Sequence, residues 1–99
     1  MAPPFVISTV PAFDAVLAAV KRDDPVKYQK ILKTVRLLRD YGPSYPSLQT
    51  HKYQSLTGPR SEPVWEVYVE NRVPGAWRLW WVYGPDEDTI TLVMVGPHP

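Results

Sequence analysis

Between Val64 and Val95 the chain sets residues that handle protons and phosphates into a strict alternation. In Val64-Trp65-Glu66-Val67-Tyr68-Val69-Glu70, Trp65, Val67 and Val69 fall on one side, and Glu66, Tyr68 and Glu70 on the other. That is the period of a β-strand whose two faces meet different surroundings. Trp77-Arg78-Leu79-Trp80-Trp81-Val82-Tyr83 reads as the next strand. If Leu79 and Trp81 join Trp65, Val67 and Val69 against a covering layer, then Glu66, Tyr68, Arg78 and Trp80 share the opposite, open face. A guanidinium forks onto a phosphate, and aromatic rings stack on unpaired bases. His51, Lys52 and His98 add groups able to move protons or bind anions, and an imidazole titrates near neutral pH. The same residues also fit a plain cross-strand Glu66–Arg78 ion pair beside packed aromatics.

The rest of the composition narrows the chemistry. Cysteine is absent, which excludes disulfides and thiolate metal sites. Two histidines are too few for a His-rich metal centre; mixed ligation with carboxylates stays open, but no cofactor or metal is expected. No apolar run approaches the roughly 18 residues of a membrane span. The opening Met-Ala-Pro-Pro lacks the basic segment of a signal peptide, so a cytoplasmic location is expected. The net charge is only +1, but it is unevenly spread. Residues 21–60 carry nine basic and three acidic side chains, net +6, whereas residues 61–99 carry two basic and six acidic, net −4. A basic half concentrates a polyanion such as RNA, and it equally serves to keep helix exteriors soluble.

The elements that must position these residues follow from period and punctuation. The length suits a single domain spanning residues 1–99. Phe5-Val6-Ile7 reads as a first or edge strand, and Pro11 opens a helix with Thr9 as a possible cap. Phe13, Val16, Leu17 and Val20 keep the spacing of one buried helical face over Ala12–Lys21. Asp23 or Asp24 followed by Pro25 starts a second helix over Val26–Tyr41, apolar along Tyr28, Ile31, Leu32, Val35 and Leu38, and ended by Gly42-Pro43. The short link makes the two helices an antiparallel hairpin. After the loop at Tyr45–Leu48 the period changes to two, with strands at 64–70, 77–83 and 89–95 and a further one within His51–Thr57. This predicts an α+β domain: an N-terminal strand and a helical hairpin packed on one face of an antiparallel sheet. Trp65 and Trp81 are expected in the core, and Arg60 and Arg72 in solvated turns.

Several segments carry a family resemblance. Leu48-Gln-Thr-His-Lys-Tyr-Gln-Ser-Leu-Thr-Gly58 resembles the segment before the central strands of RelE-type toxins, which ends in a Leu-x-Gly step. Trp65-Glu66-Val67-Tyr68 is similar to the Trp-Glu-Leu-Arg strand of the HigB-like branch. Trp77-Arg78-Leu79-Trp80-Trp81 resembles the Arg-bearing strand seen across the RelE/ParE superfamily, and Ile90–Pro99 resembles its last strand. The resemblance implies the toxin of a toxin–antitoxin pair, a ribosome-dependent endoribonuclease (an mRNA interferase) that cleaves mRNA without a metal. Its implied partners are an antitoxin, the ribosome and mRNA. Arg78 falls on the recurrent arginine and is expected to stabilise the phosphorane. His98 matches the penultimate histidine of the YoeB-like branch, where that side chain is the acid. Glu66 is expected as the base, with His51 and Lys52 as rivals, and His51, Lys52, Tyr68 and Trp80 as RNA contacts. Two departures stand out: Tyr68 replaces the second arginine of the HigB-like strand, and Thr50 holds the place of the YoeB-like carboxylate. The same fold would also suit a ParE-like gyrase inhibitor or a non-catalytic binding module, neither of which needs Arg78, His98 and a carboxylate to converge.

Overall fold

One residue separates the two helices, and its side chain explains the break. In the computed structural model, which describes residues 2–99, α1 runs over Pro11–Asp23 and α2 over Pro25–Tyr41. Asp24 accepts a bond from the Lys27 backbone N–H at 3.1 Å, and Pro25 takes the first helical position, where no N–H is needed. At the far end Gly42, at φ +85°, turns the chain out of α2, a conformation that costs a side-chain-bearing residue more. The expected cap at Thr9 does not form. Val10 holds the cap position with no side-chain bond, and Thr9 belongs to the preceding strand.

The strands are β1 (Val6–Thr9), β2 (His51–Thr57), β3 (Pro63–Tyr68), β4 (Trp77–Tyr83) and β5 (Thr89–Pro97), with a single 3₁₀ turn at Pro46–Leu48 before β2. They form one five-stranded sheet in the order β1-β5-β4-β3-β2. The β2–β3, β3–β4 and β4–β5 pairs are antiparallel, but β1 pairs parallel to β5. The sheet is therefore mixed, where the sequence predicted an antiparallel one. Sequence neighbours fix the three antiparallel pairs, whereas β1 finds its partner across the whole chain, with Val6 N–H bonded to the Asp88 carbonyl and Val10 N–H to that of Leu92.

The helical hairpin covers one face. Phe13 and Val20 of α1 and Ile31 and Leu38 of α2 are buried against Val67, Leu79, Trp81, Ile90, Leu92 and Val95 of the sheet. Val16, Leu17, Tyr28 and Val35 pack around them, as the helical period requires. Trp65 and Trp81 stack at 6.2 Å between ring centroids within this layer. Each fully buried aliphatic side chain contributes about 1.5–3 kcal/mol, so this layer sets the rigidity of the face behind it. Arg60 and Arg72 are exposed turn residues, Arg72 at φ +59°. Among the described residues no helix is long and apolar enough to cross a membrane.

The face away from the helices is less open than alternation implied. Trp80 is only 4% exposed and packs with Val64, Val82, Tyr53 and Val93 in a second, smaller core. A bulge builds it: Trp80 pairs with Met94 and Trp81 with Leu92, so Val93 is an extra residue on β5 and comes to lie against Trp80.

Candidate active site

Five positions on three adjacent strands bring the polar groups together. His51 opens β2 directly opposite Glu66, which lies opposite Trp80, and Tyr68 lies opposite Arg78. Directly opposed residues in antiparallel strands point to the same side, so His51, Glu66, Tyr68, Arg78 and Trp80 share the face away from the helices. His98 follows β5 and is tied down by its backbone N–H on the Ala76 carbonyl at 3.0 Å.

Glu66 is the centre of the cluster and has no exposed surface. Its Oε2 accepts the Trp80 indole N–H at 2.8 Å. Its Oε1 lies 2.9 Å from His51 Nε2, 3.7 Å from Arg78 Nε and 3.7 Å from His98 Nε2. The Arg78 and His98 contacts are too long for hydrogen bonds and the His51 contact lacks the alignment of one, so Glu66 Oε1 and Arg78 Nε are buried polar atoms without a hydrogen-bond partner. Such atoms are uncommon in folded proteins; a third, Trp81 Nε1, lies in the helix-side core, and it is the meeting of two of them at one point that singles out this cluster. Both imidazoles are 46% exposed at the side chain, whereas Arg78 is 11% exposed. A ligand entering from solvent therefore meets the two rings first.

Arg78 is held rigidly. Its Nη1 donates to the Glu70 carbonyl at 2.6 Å and to the Trp77 carbonyl at 3.2 Å. Its guanidinium lies 3.7 Å from the centre of the Tyr68 ring, a cation–π contact. Tyr68, which replaces an arginine in the HigB-like pattern, thus supports the remaining arginine. His51 meets the edge of the same ring at 6.1 Å, and its Nδ1 lies 2.9 Å from the Gln49 carbonyl.

Of the residues singled out in the sequence, His51, Glu66, Tyr68, Arg78 and His98 come together. Trp80 joins them from below, buried and bonded to Glu66, and so supports the carboxylate where an exposed stacking surface was expected. Lys52 does not join. It pairs with Trp65, which packs with the helix-side core, so its side chain leaves the sheet on the opposite face. Glu70 was expected beside Glu66 and Tyr68, but it too turns to the helix side. The backbone N–H groups of Val69 and Glu70 both reach the Trp77 carbonyl, at 3.1 and 3.0 Å, a bulge that ends the alternation. The Glu70 carboxylate then meets Lys27 Nζ at 3.0 Å, Lys30 Nζ at 2.9 Å and the Trp77 N–H at 3.2 Å. Burial pushes this carboxyl up, but Lys30, Lys27 and the Trp77 amide together hold it below the usual carboxylate range. The only sequence signal for this contact is an acid set against the basic side of α2.

Among the described residues no three His, Asp or Glu side chains are arranged to hold a metal ion. His51 and His98 converge on one oxygen of Glu66 and do not surround a space.

In class, the chain is a two-layer α+β protein with a titratable cluster on the sheet face away from its helices. More particularly, it has the RelE-like fold of the RelE/ParE toxins. The YoeB dimer from Staphylococcus aureus superposes with a TM-score of 0.71 at 12% identity, covering 97% of this chain and 99% of that one. RelE from the archaeal RelE–RelB complex of Pyrococcus horikoshii OT3 gives 0.66 at 11% identity, over 95% and 94%. A metal-bound toxin from Helicobacter pylori gives 0.58 at 22% identity, over 95% and 94%. At these identities the fold is what is shared. No protein-family model and no curated protein matches the sequence.

Proposed function

We propose that this chain is the toxin of a toxin–antitoxin pair and cuts mRNA at the ribosome without a metal. The observation that carries the reading is the convergence of His51, Arg78 and His98 within 3.7 Å of one buried carboxylate oxygen. RNA cleavage by its own 2′-hydroxyl needs these parts. The 2′-oxygen attacks phosphorus, the P–O5′ bond breaks, and the products are a 2′,3′-cyclic phosphate and a 5′-hydroxyl. One group must take the 2′-proton, a cation must steady the pentacoordinate phosphorane, and an acid must protonate the departing 5′-oxygen. Arg78, anchored on two carbonyls and one ring, supplies the cation. His98 supplies the acid.

The base role given to Glu66 is best shared. Glu66 is enclosed, whereas His51 is exposed and stands 2.9 Å from it. We assign proton acceptance to the His51–Glu66 pair, in which a proton taken at the ring is balanced by the carboxylate behind it. Tyr68, and His51 beside it, are the RNA-contacting surface. Lys52 lies outside the cluster and is assigned no catalytic role.

Toxins with this fold occur in complexes with antitoxins, as in the RelE–RelB and YoeB–YefM assemblies. An antitoxin is accordingly the partner proposed for this chain, with the ribosome and mRNA as target in the cytoplasm. The deciding experiment induces the chain and maps mRNA ends on stalled ribosomes. New 5′ ends within the ribosomal A-site codon, absent with Arg78→Ala, are the expected result. Growth arrest with intact mRNA would overturn the nuclease reading in favour of a target such as gyrase. Unaffected growth and intact mRNA would overturn the toxin reading altogether.

A further inference from the structure

We infer that Glu70 is a positioning residue for Arg78, and that through it helix α2 sets the placement of the catalytic cation. The inference rests on the RNA-cleaving reading above. Glu70 does not touch the cluster with its side chain. Its carbonyl oxygen receives the shorter of the two bonds from Arg78 Nη1, 2.6 Å against 3.2 Å for the Trp77 carbonyl. That carbonyl points at Arg78 because the chain bulges at Val69–Glu70, just beyond β3, where two successive N–H groups share the Trp77 carbonyl. A bulge re-aims a backbone and bends its strand, and it leaves the ladder weaker at that point, so something else has to hold it in place.

The Glu70 side chain does this. Its carboxylate is gripped by Lys27 and Lys30, one turn apart on α2, and also accepts the Trp77 N–H. Lys27 is fixed in turn over the Trp77 indole, 4.8 Å from the ring centre. Only 9% of the Glu70 side chain and 19% of Lys27 are exposed, so the Lys27 contact is sheltered from the screening that makes surface ion pairs weak, while Lys30, 49% exposed, closes the grip from the solvent side. The result is a continuous path: two lysines of α2, the Glu70 carboxylate, the Glu70 carbonyl, and the Arg78 guanidinium. It crosses the sheet from the helix face to the catalytic face at the one place where the alternation of β3 breaks. A surface ion pair serving solubility would need none of this. Here the pairs clamp the backbone segment just beyond β3 that grips the arginine.

Two measurements test this, one of them independent of any activity. The Arg78 Nε–Hε resonance should be resolved and dispersed in the wild-type protein. In Glu70→Gln, and in the Lys27→Met/Lys30→Met double variant that releases the same grip from α2, it should collapse toward the shift of a free arginine. The backbone spectrum elsewhere should stay that of the folded protein. In cleavage assays, both variants should lower kcat by about 10-fold or more with KM little changed, as expected when a transition-state contact is misplaced. In an Arg78→Ala background neither should lower the rate further. A merely structural role would lower the melting temperature, leave kcat of the folded fraction intact, and add to Arg78→Ala. An unperturbed Arg78 resonance in both variants overturns the inference whether or not the chain cuts RNA. Absence of cleavage by the wild type, with the resonance responding as described, sinks the nuclease reading and leaves the coupling of α2 to Arg78 standing.

Discussion

Arg78→Ala is the sharpest perturbation of the proposed site, because the structure separates its effect on chemistry from its effect on folding. The substitution removes bonds to the Glu70 and Trp77 carbonyls, the stack on Tyr68, and the guanidinium charge facing Glu66. Hydrogen bonds from charged groups contribute about 1.5–3 kcal/mol each, and enclosing Glu66 with less compensation adds to the loss. Because the imidazoles remain beside the carboxylate, we expect a total destabilisation of about 2–4 kcal/mol. Loss of a fixed transition-state charge stabiliser should slow cleavage by about 10²–10³-fold, equivalent to about 2.7–4 kcal/mol. The assay is single-turnover cleavage of ribosome-bound mRNA, read by primer extension at a temperature where circular dichroism shows the variant folded. Arg78→Lys should recover only part of the rate, since an ammonium cannot both grip the carbonyls and face the site as the planar guanidinium does. Folded Arg78→Ala cutting within threefold of wild type would refute the placement of the phosphorane against this residue.

Other expectations follow from the same geometry. His98→Gln should slow cleavage while leaving affinity for a non-cleavable RNA nearly unchanged in a binding titration, because an acid acts on the leaving group. Glu66→Ala should be among the most destabilising changes in the sheet, about 3–5 kcal/mol by urea denaturation, because it leaves Arg78 and two imidazoles around an empty position; Glu66→Gln should cost less. The Glu70 carboxyl is held low in the folded state, so its contribution is fully present above the unfolded carboxylate pKa of about 4.3 and is lost as pH falls through the folded value. Urea melts between neutral and acid pH should show that loss, and Lys27→Met/Lys30→Met should diminish it. Leu79→Ala, at a fully buried position, should cost about 2–5 kcal/mol in the same melts.

What the sequence revealed and what it hid divide along physical lines. The helices were legible because Phe13, Val20, Ile31 and Leu38 keep the helical period and Asp24-Pro25 punctuates it. The shared face of Glu66, Tyr68, Arg78 and Trp80 was legible because strand parity is local. Parity could also have separated His51 from Lys52, since adjacent strand residues point to opposite faces. Glu70 was misplaced because nothing in Val69-Glu70-Asn71 announces that two amides will share one carbonyl. The burial of Trp80 was hidden because it draws on Val93, an extra residue on a strand 13 positions beyond it, and that of Glu66 because it draws on Trp80, His51 and His98 from other segments of the chain. The parallel pairing of β1 was hidden for the same reason at greater range.

That pairing of β1 with β5 has a consequence for how the protein comes into being. Val6 to Thr9 are made some eighty residues before their partners, Thr89 to Leu92. Until β5 exists, β1 has no strand to join, and the helical hairpin that follows it lacks Ile90, Leu92 and Val95 to cover. Closing so large a loop is the entropically costly step of such a topology. The sheet can therefore be completed only after β5 has been synthesised, and the segment that completes it also carries His98 into the cluster. β5 thus finishes the scaffold and the candidate site in one event, and neither is complete before it emerges.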